Sequence, residues 1–241
     1  MAWFFTESNI ATEKYSLFGE SAKHISKVLR MNRGEEITLV TPDKTQCLCR
    51  ISEITAECVT VDVLEKSICQ NEPDIEVTLY QALPKGDKMD YIIQKCVELG
   101  VSRIVPVLSA RCVSRPDAKS LAKKQVRWQK IALQAAMQSR RGIVPTVCEC
   151  VTFSKAAELA KENDKTIIFY EMGGESVKNI LTDTPKSIGI FIGSEGGFEQ
   201  DEVDKIVASN GNTATLGKRI LRCETAPLAA LSIIMYQTGN F

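Results

Sequence analysis

The sequence predicts an α/β protein: a mostly parallel sheet with helices on both faces, preceded by a small antiparallel β-barrel or sheet. Three observations carry this prediction. Short alternating apolar and polar segments dominate up to about residue 67, as in antiparallel strands. Strand-like and helix-like segments alternate from residue 74 onward. The segment SICQNEPD between them is polar and interrupted by a proline. We therefore expect two domains, residues 1–70 and 74–241.

The first domain is predicted to contain strands in the segments EEITLV, QCLCRISEI and CVTVDVLE, which are separated by turn residues. One helix is expected over residues 21–29, with Ile25, Val28 and Leu29 on one face. The second domain has five predicted strands before its C-terminal region, in the order IEVTLYQAL, SRIVPVLS, TVCECV, KTIIFYE and SIGIFIG. Predicted helices lie between them: one ending at Leu99, one within 118–138, one at 154–163 and a short one near 176–181. This alternation is typical of βαβ units.

The last predicted elements are a short strand reaching Leu216 and an apolar helix that Thr225 can cap. The apolar positions of this helix leave almost no polar face, so we expect it to be covered on most sides. These positions are Ala226, Leu228, Ala229, Ala230, Leu231, Ile233 and Ile234.

Composition excludes several classes of protein. No apolar run approaches the roughly 20 residues of a membrane span, and the N-terminus does not look like a signal peptide. Nine cysteines, an odd number, suit a reducing cytoplasm better than a disulfide framework. The pairs Cys47/Cys49 and Cys148/Cys150 have no C-x-x-C spacing, and His24 is the single histidine, so we expect no metal. The prediction is a cytoplasmic protein without membrane contact.

Charge is balanced overall but segregated along the chain. The net charge is zero, yet residues 103–141 contain ten Lys and Arg against one acid, Asp117. Residues 149–204 contain twelve acids against five lysines. A basic face for a polyanion and a pair of solvated helix faces both fit this pattern.

A glycine-rich turn follows the strand SIGIFIG and contains Gly193, Gly196, Gly197 and one acid, Glu195. Glycines after a strand often bring backbone N–H groups close to a phosphate. However, the spacing matches neither the dinucleotide nor the P-loop fingerprint, and Glu195 would repel a phosphate. A second glycine loop, LGKRILRCETA, begins at Leu216. Two such loops at the carboxyl ends of strands make a ligand crevice for something other than a phosphate.

Taken together, these motifs resemble the 16S ribosomal RNA (uracil-N(3))-methyltransferase family of the SPOUT, or trefoil-knot, class. The resemblance rests on GSEGGF and LGKRILRCETA, and also on HISKVLRMNRG, KGDKMDYIIQKCVELGV and RWQKIALQAAMQSRRGIVP. It implies a PUA-like RNA-binding barrel at the N-terminus and a knotted methyltransferase domain after it. It also implies a homodimer that acts on 16S rRNA, within the small ribosomal subunit or its precursor.

The resemblance further implies that the crevice binds S-adenosylmethionine and releases S-adenosylhomocysteine, with no metal. Carried over as cofactor-binding residues are Gly193, Glu195, Gly196, Leu216, Gly217, Ile220, Leu221, Arg222, Glu224, Thr225 and Ala226. Candidate RNA contacts are Arg30, Lys85, Lys88, Arg111 and Arg141. Ring nitrogen 3 of uracil is protonated at neutral pH, so a base or an anion-stabilising cation is needed. Glu195 or Glu224 is the candidate proton acceptor, and Arg222 or Arg141 the candidate stabiliser of the uracil oxygens.

Three features depart from the family pattern. Ser194 stands where proline is usual, and Trp3 where a basic residue is common. In AAMQSRR, Met137 and Arg140 replace a frequent glutamate and glycine. The alternatives are a SPOUT methyltransferase acting on tRNA or on a ribose hydroxyl, and a non-catalytic RNA-binding scaffold. Intact glycine loops count against the scaffold, which has no need of close backbone approach to a cofactor.

Overall fold

The computed structural model describes residues 2–241, which divide into two compact units. The first unit runs up to Glu72 and also contains residues 136–144. The second unit consists of residues 73–135 and 145–241. The predicted domains, 1–70 and 74–241, were continuous in sequence, whereas the first unit includes a segment from much later in the chain.

The first unit contains a five-stranded sheet. Its strands are β1 (Ala2–Phe5), β2 (Lys14–Phe18), β3 (Glu36–Val40), β4 (Thr45–Ile54) and β5 (Cys58–Ile68). The order is β1-β3-β4-β5-β2, with β1 parallel to β3 and every other pairing antiparallel. Alternate residues of β3, β4 and β5 form a buried core that includes Ile37, Cys47, Cys49 and Val59. The buried positions of Cys47 and Cys49 agree with a packing role for these thiols.

The helix predicted over residues 21–29 begins two residues earlier and ends in a π-helical turn. α1 (Gly19–Lys23) continues into a π-helical turn, His24–Val28, in which Leu29 N–H bonds to His24 O at 2.9 Å. This i to i+5 bond changes the angular spacing of the side chains. Ile25 is buried as expected, but Val28 and Leu29 are exposed.

The second unit contains a seven-stranded sheet that is parallel throughout. Its strands are β6 (Glu76–Ala82), β7 (Arg103–Leu108), β8 (Thr146–Val147), β9 (Val151–Thr152), β10 (Lys165–Phe169), β11 (Ser187–Ile192) and β12 (Asn212–Ala214). The order is β12-β10-β11-β6-β7-β8, and β9 also pairs with β7. Its central strands are almost continuously buried, as expected for a parallel sheet covered on both faces. The predicted α/β fold with a mostly parallel sheet is confirmed.

The remaining helices of residues 2–241 lie between and after these strands. They are α2 (Lys88–Glu98), α3 (Ala118–Gln138), α4 (Phe153–Ala160), α5 (Val177–Ile180), α6 (Gln200–Ala208) and α7 (Ala226–Gln237). Within residues 2–241, no helix combines the length and apolar character needed to cross a membrane.

The apolar helix α7 is only partly covered by its own chain. Leu231 and Ile234 are fully buried, whereas Ile233 is 41% and Tyr236 79% exposed. Thr225 occupies the N-cap position, but its side chain makes no capping hydrogen bond, and Pro227 lies in the first turn instead. The expected burial on most sides is therefore present on one side of the helix.

Candidate functional site

A cavity of about 610 Å³ lies at the carboxyl ends of three neighbouring parallel strands, β12, β10 and β11. Each strand leads directly into a segment that lines the cavity: residues 215–223 after β12, 169–171 from the end of β10, and 192–197 after β11. The carboxyl edge of a parallel sheet is where α/β proteins bind ligands. The volume of the cavity is in the range of small-molecule sites.

Most of the predicted cofactor residues meet in this cavity. Those that line it are Gly193, Glu195, Gly196, Leu216, Gly217, Ile220, Leu221, Arg222 and Ala226. Glu224 contacts the lining residue Lys88, and Thr225 lies at the start of α7, next to Ala226. Sequence reasoning missed Tyr170, Glu171, Arg219 and Cys223, which also line the cavity. No sequence motif pointed to Glu171 or Tyr170, because they reach the cavity only through the order of the strands in the sheet.

Lys88 connects the two glycine loops. Its Nζ lies 2.8 Å from Glu195 Oε1 and 3.2 Å from Glu224 Oε2. The Cys223 thiol lies 3.7 Å from the same Nζ and 3.2 Å from Glu224 Oε2. Glu195 also accepts hydrogen bonds from the backbone N–H of Lys85, at 3.2 and 3.3 Å. Lys88, predicted as an RNA contact, is thus held by two carboxylates.

This arrangement sets the protonation of the group. Burial alone would raise the pKa of Glu195, but hydrogen bonds from Lys88 and from backbone N–H groups outweigh it and lower that pKa. For Glu224, burial is likewise outweighed by hydrogen bonds from Cys223, from its own backbone and from Lys88, which lower the pKa. Hydrogen bonding to Glu195 raises the pKa of Lys88. Burial, the bond to Glu224 and the charge of Glu195 raise the pKa of Cys223 to about 12. At neutral pH the cluster therefore contains two carboxylates, one ammonium and a neutral thiol.

Arg111 supports the glycine turn from the other side. Its Nη1 donates to Gly196 O at 3.1 Å, while its Nε and Nη2 bind the Glu199 carboxylate at 2.9 and 3.1 Å. Glu199 is the N-cap of α6 and forms a capping box with Glu202. The guanidinium predicted to contact RNA thus holds the turn to the start of α6.

Arg141 does not present the exposed guanidinium that its predicted RNA contact would need. Arg141 is 3% exposed and its guanidinium binds the Glu72 carboxylate at 2.7 and 2.8 Å, within the first unit. Its carbonyl oxygen also accepts a hydrogen bond from Trp3 Nε1 at 3.0 Å. Because the guanidinium is buried and paired, it is not available to an RNA phosphate or a uracil oxygen. Trp3, which departs from the family pattern, belongs to this packed group.

The cations exposed at the site lie in the second loop. Lys218, Arg219 and Arg222 are exposed, and no carboxylate in residues 2–241 forms an ion pair with any of them. Of the predicted RNA residues, Arg30 and Lys85 are also exposed, as is Arg111, whose guanidinium binds Glu199. Arg30 belongs to the first unit and has a backbone φ of +53°.

Two features of the cavity suit S-adenosylmethionine. The Ser194 hydroxyl is buried, lines the cavity and has no hydrogen-bond partner within residues 2–241, so a polar ligand atom can satisfy it. Gly217 has a φ of +98°, and a Cβ built there meets no atom within 4 Å, which leaves room for a ligand against the backbone. The residues present therefore fit the cofactor.

Comparison with known proteins agrees with this architecture. Residues 70–235 match the family model of the RNA methyltransferase domain, and residues 18–64 match that of the RNA methyltransferase PUA domain. Fold, site and matches define the class: an RNA methyltransferase with an N-terminal PUA domain. More particularly, members of the ribosomal RNA small subunit methyltransferase E family align with 93–94% of the chain at 32–38% identity, and the chain belongs to that family.

Individual relatives cover nearly the whole chain. The Bacillus subtilis ribosomal RNA small subunit methyltransferase E is 38% identical over 231 residues, 93% of this chain and 90% of that protein. The enzyme of the same name from Buchnera aphidicola is 32% identical, over 94% and 89% of the two chains. A crystal structure of the Neisseria gonorrhoeae enzyme bound to S-adenosyl methionine has a TM-score of 0.89 and 31% identity, over 98% and 97% of the chains. The family predicted from the motifs is confirmed.

Proposed function

We propose that the protein methylates ring nitrogen 3 of a uridine in 16S rRNA, with S-adenosylmethionine as methyl donor. The observation that carries this proposal is the cavity between two glycine loops at the carboxyl edge of the sheet, in a chain of the small subunit methyltransferase E family. Gly193, Gly196 and Gly217 would hold the cofactor by their backbone, and Leu216, Leu221 and Ala226 would give it an apolar wall. When bound, S-adenosylmethionine supplies an electrophilic methyl group on a positively charged sulfur.

The remaining task of the protein is to present a deprotonated uracil. Glu195 and Glu224 are weak bases here, since both have a lowered pKa and share the ammonium of Lys88. Arg222 and Arg219 line the cavity without a carboxylate partner among the described residues. We therefore assign them to stabilise the uracil oxygens of the anionic base, so that the N3 proton passes to solvent water and the barrier falls without a strong protein base. Lys218 and Arg30 are assigned to RNA phosphates.

A homodimer also belongs to this proposal, as does a knot in the C-terminal segment and a cytoplasmic location. Ile233 and Tyr236 of α7, together with Ile220 of the second loop, expose apolar side chains that a partner subunit would cover. Ile233→Asp should give a folded monomer, whereas Ile234→Asp should unfold the domain because Ile234 is fully buried. Light scattering that finds a wild-type monomer would contradict the dimer.

The function is tested by mapping methylated bases in rRNA from cells with and without the gene. We expect one N3-methyluridine in 16S rRNA to disappear without the gene and to return with the wild-type copy. Purified protein with S-adenosylmethionine should methylate small subunits or 16S rRNA but not tRNA, which distinguishes it from the tRNA alternative. Methylation of a ribose hydroxyl, or an unchanged 16S rRNA, would overturn the assignment.

A further inference from the structure

Lys88 is placed where three separate segments of the second unit meet. It is the first residue of α2, while Glu195 lies in the turn after β11 and Glu224 in the loop before α7. The two carboxylates are 107 or more positions away in sequence, yet both lie within 3.2 Å of one Nζ. One side chain therefore links both glycine loops of the cavity to the start of α2.

The link is more than a surface ion pair. The side chains of Lys88, Glu195 and Glu224 are only 35%, 29% and 20% exposed. Charge-assisted hydrogen bonds in such partly enclosed positions are shorter and stronger than neutral ones. Without the ammonium, two ionised carboxylates that lie within 3.2 Å of the same point would repel each other and push the loops apart.

The same contacts argue against an RNA phosphate at Lys88. A phosphate approaching Nζ would meet two carboxylates, and the trio carries a net charge of about −1, which repels it. Lys218 and Arg219, in contrast, are exposed and not held by an acid within residues 2–241.

We infer that Lys88 is a positioning residue that holds the two glycine loops in the arrangement needed to bind the cofactor. This inference rests on the proposed function, since it assigns a role within the same site. Lys88 acts through Glu195 and Glu224 and through the loops that carry them, and it does not contact RNA.

The test compares Lys88→Met with Lys95→Met. Lys95 lies on the same helix, is 33% exposed and pairs with Glu98 at 2.8 Å, but does not line the cavity. Affinity for S-adenosylhomocysteine is measured by calorimetry. We expect Lys88→Met to bind at least about tenfold more weakly and Lys95→Met to bind like the wild type. Lys88→Arg, which keeps the charge, should recover part of the affinity.

Two further readouts separate positioning from general destabilisation. In Lys88→Met both carboxylates lose the cation that lowers their pKa, so acidification should protonate them, remove their mutual repulsion and recover part of the S-adenosylhomocysteine affinity. The wild type should instead lose affinity on acidification, because protonation breaks its ion pairs to Lys88. The salt dependence of RNA binding should not change. Affinity within twofold of the wild type, or a shallower salt dependence with normal affinity, would overturn the inference.

Two controls keep the outcomes distinct. If Lys88→Met does not fold, Lys88→Gln, which keeps a donor without the charge, should show the same loss of affinity. If the wild type itself failed to bind S-adenosylhomocysteine, the proposed function would fall. The positioning role alone would fail if the wild type bound S-adenosylhomocysteine and a Lys88 variant bound it equally well.

Discussion

The two glycine loops look alike in the sequence but differ in their surroundings. In the turn 193–197 a Cβ at Gly193 would lie 2.9 Å from Gly197 Cα, and one at Gly196 would lie 2.9 Å from Arg111 Cβ. In the loop 216–222 a Cβ at Gly217 meets nothing within 4 Å. The first loop is packed against the protein, and the second is open toward the cavity. A glycine motif therefore identifies a site without saying which glycines face the ligand.

The charges of the two loops differ in the same way. Glu195 of the first loop is paired with Lys88, and Arg111 holds Gly196 O and Glu199. The cations of the second loop are exposed and not paired with an acid of the described chain. We conclude that the first loop is a scaffold held by ion pairs, whereas the second offers its charges to a partner.

The largest effect is expected for Gly196→Val in the packed loop. The structure directs the new side chain into the backbone and side chain of Arg111. Overpacking of this kind costs about 1–3 kcal/mol, and the displaced turn should lose at least about a hundredfold in S-adenosylhomocysteine affinity. Thermal unfolding and calorimetry measure the two effects. Wild-type stability together with lost binding would mean that the new side chain obstructs the cofactor directly and does not displace the turn.

The next effect is expected for Gly217→Ala in the open loop. Its φ of +98° strains any L side chain by about 1 kcal/mol, but the Cβ itself collides with nothing. Gly34→Ala is a matched control, since Gly34 has a φ of +93°, equally open surroundings and a place in the first unit. Both variants should lose similar stability in urea unfolding, and only Gly217→Ala should lose S-adenosylhomocysteine affinity, by about tenfold. Equal affinity in the two variants would contradict a ligand at Gly217.

Much of the fold was predictable, because it depends on local patterns. The alternation of strands and helices from residue 74 onward gave the parallel sheet, and the two glycine loops gave the cavity. The strands β1 and β2 were missed because AWFF has no alternation of apolar and polar residues and KYSLF has no turn signal of the kind that marked the other strands. The π-helical turn was missed as well, because its sequence differs little from that of an α-helix.

Ion pairing could not be predicted from the same patterns. Lys88, Arg111 and Arg141 were candidate RNA contacts, yet each binds a carboxylate 69 to 107 positions away. Which cations are left for a partner depends on the tertiary structure. Arg219, which the motif reading did not select, is exposed at the cavity.

A smaller effect is expected for the exposed cations. If Lys218 and Arg30 contact RNA phosphates, the double alanine variant should bind a 16S rRNA fragment more weakly, and the slope of log K against log salt should fall by about 0.7 for each lost contact. Lys178→Ala, an exposed lysine on α5, is the control. S-adenosylhomocysteine affinity should stay the same in all variants. An unchanged slope in filter-binding experiments would show that both side chains are solvated and do not contact RNA.

The smallest effect is expected from a change of pH, which tests how much the ion pairs of Lys88 stabilise the first loop. Glu195 and Glu224 have a folded-state pKa below the ordinary glutamate value of 4.5, so their contribution to stability is fully present above that value. It is lost as the pH falls through the lowered pKa, where both carboxylates become protonated and no longer attract Lys88. Lys88 has a raised pKa, so its own contribution persists at neutral pH and is lost only as the pH rises through that raised value.

In urea unfolding, Lys88→Met should therefore be less stable than the wild type at pH 7, and the difference should shrink once the pH is well below 4.5. A difference that stayed constant or grew on acidification would show that the ion pairs of Lys88 do not stabilise the first loop.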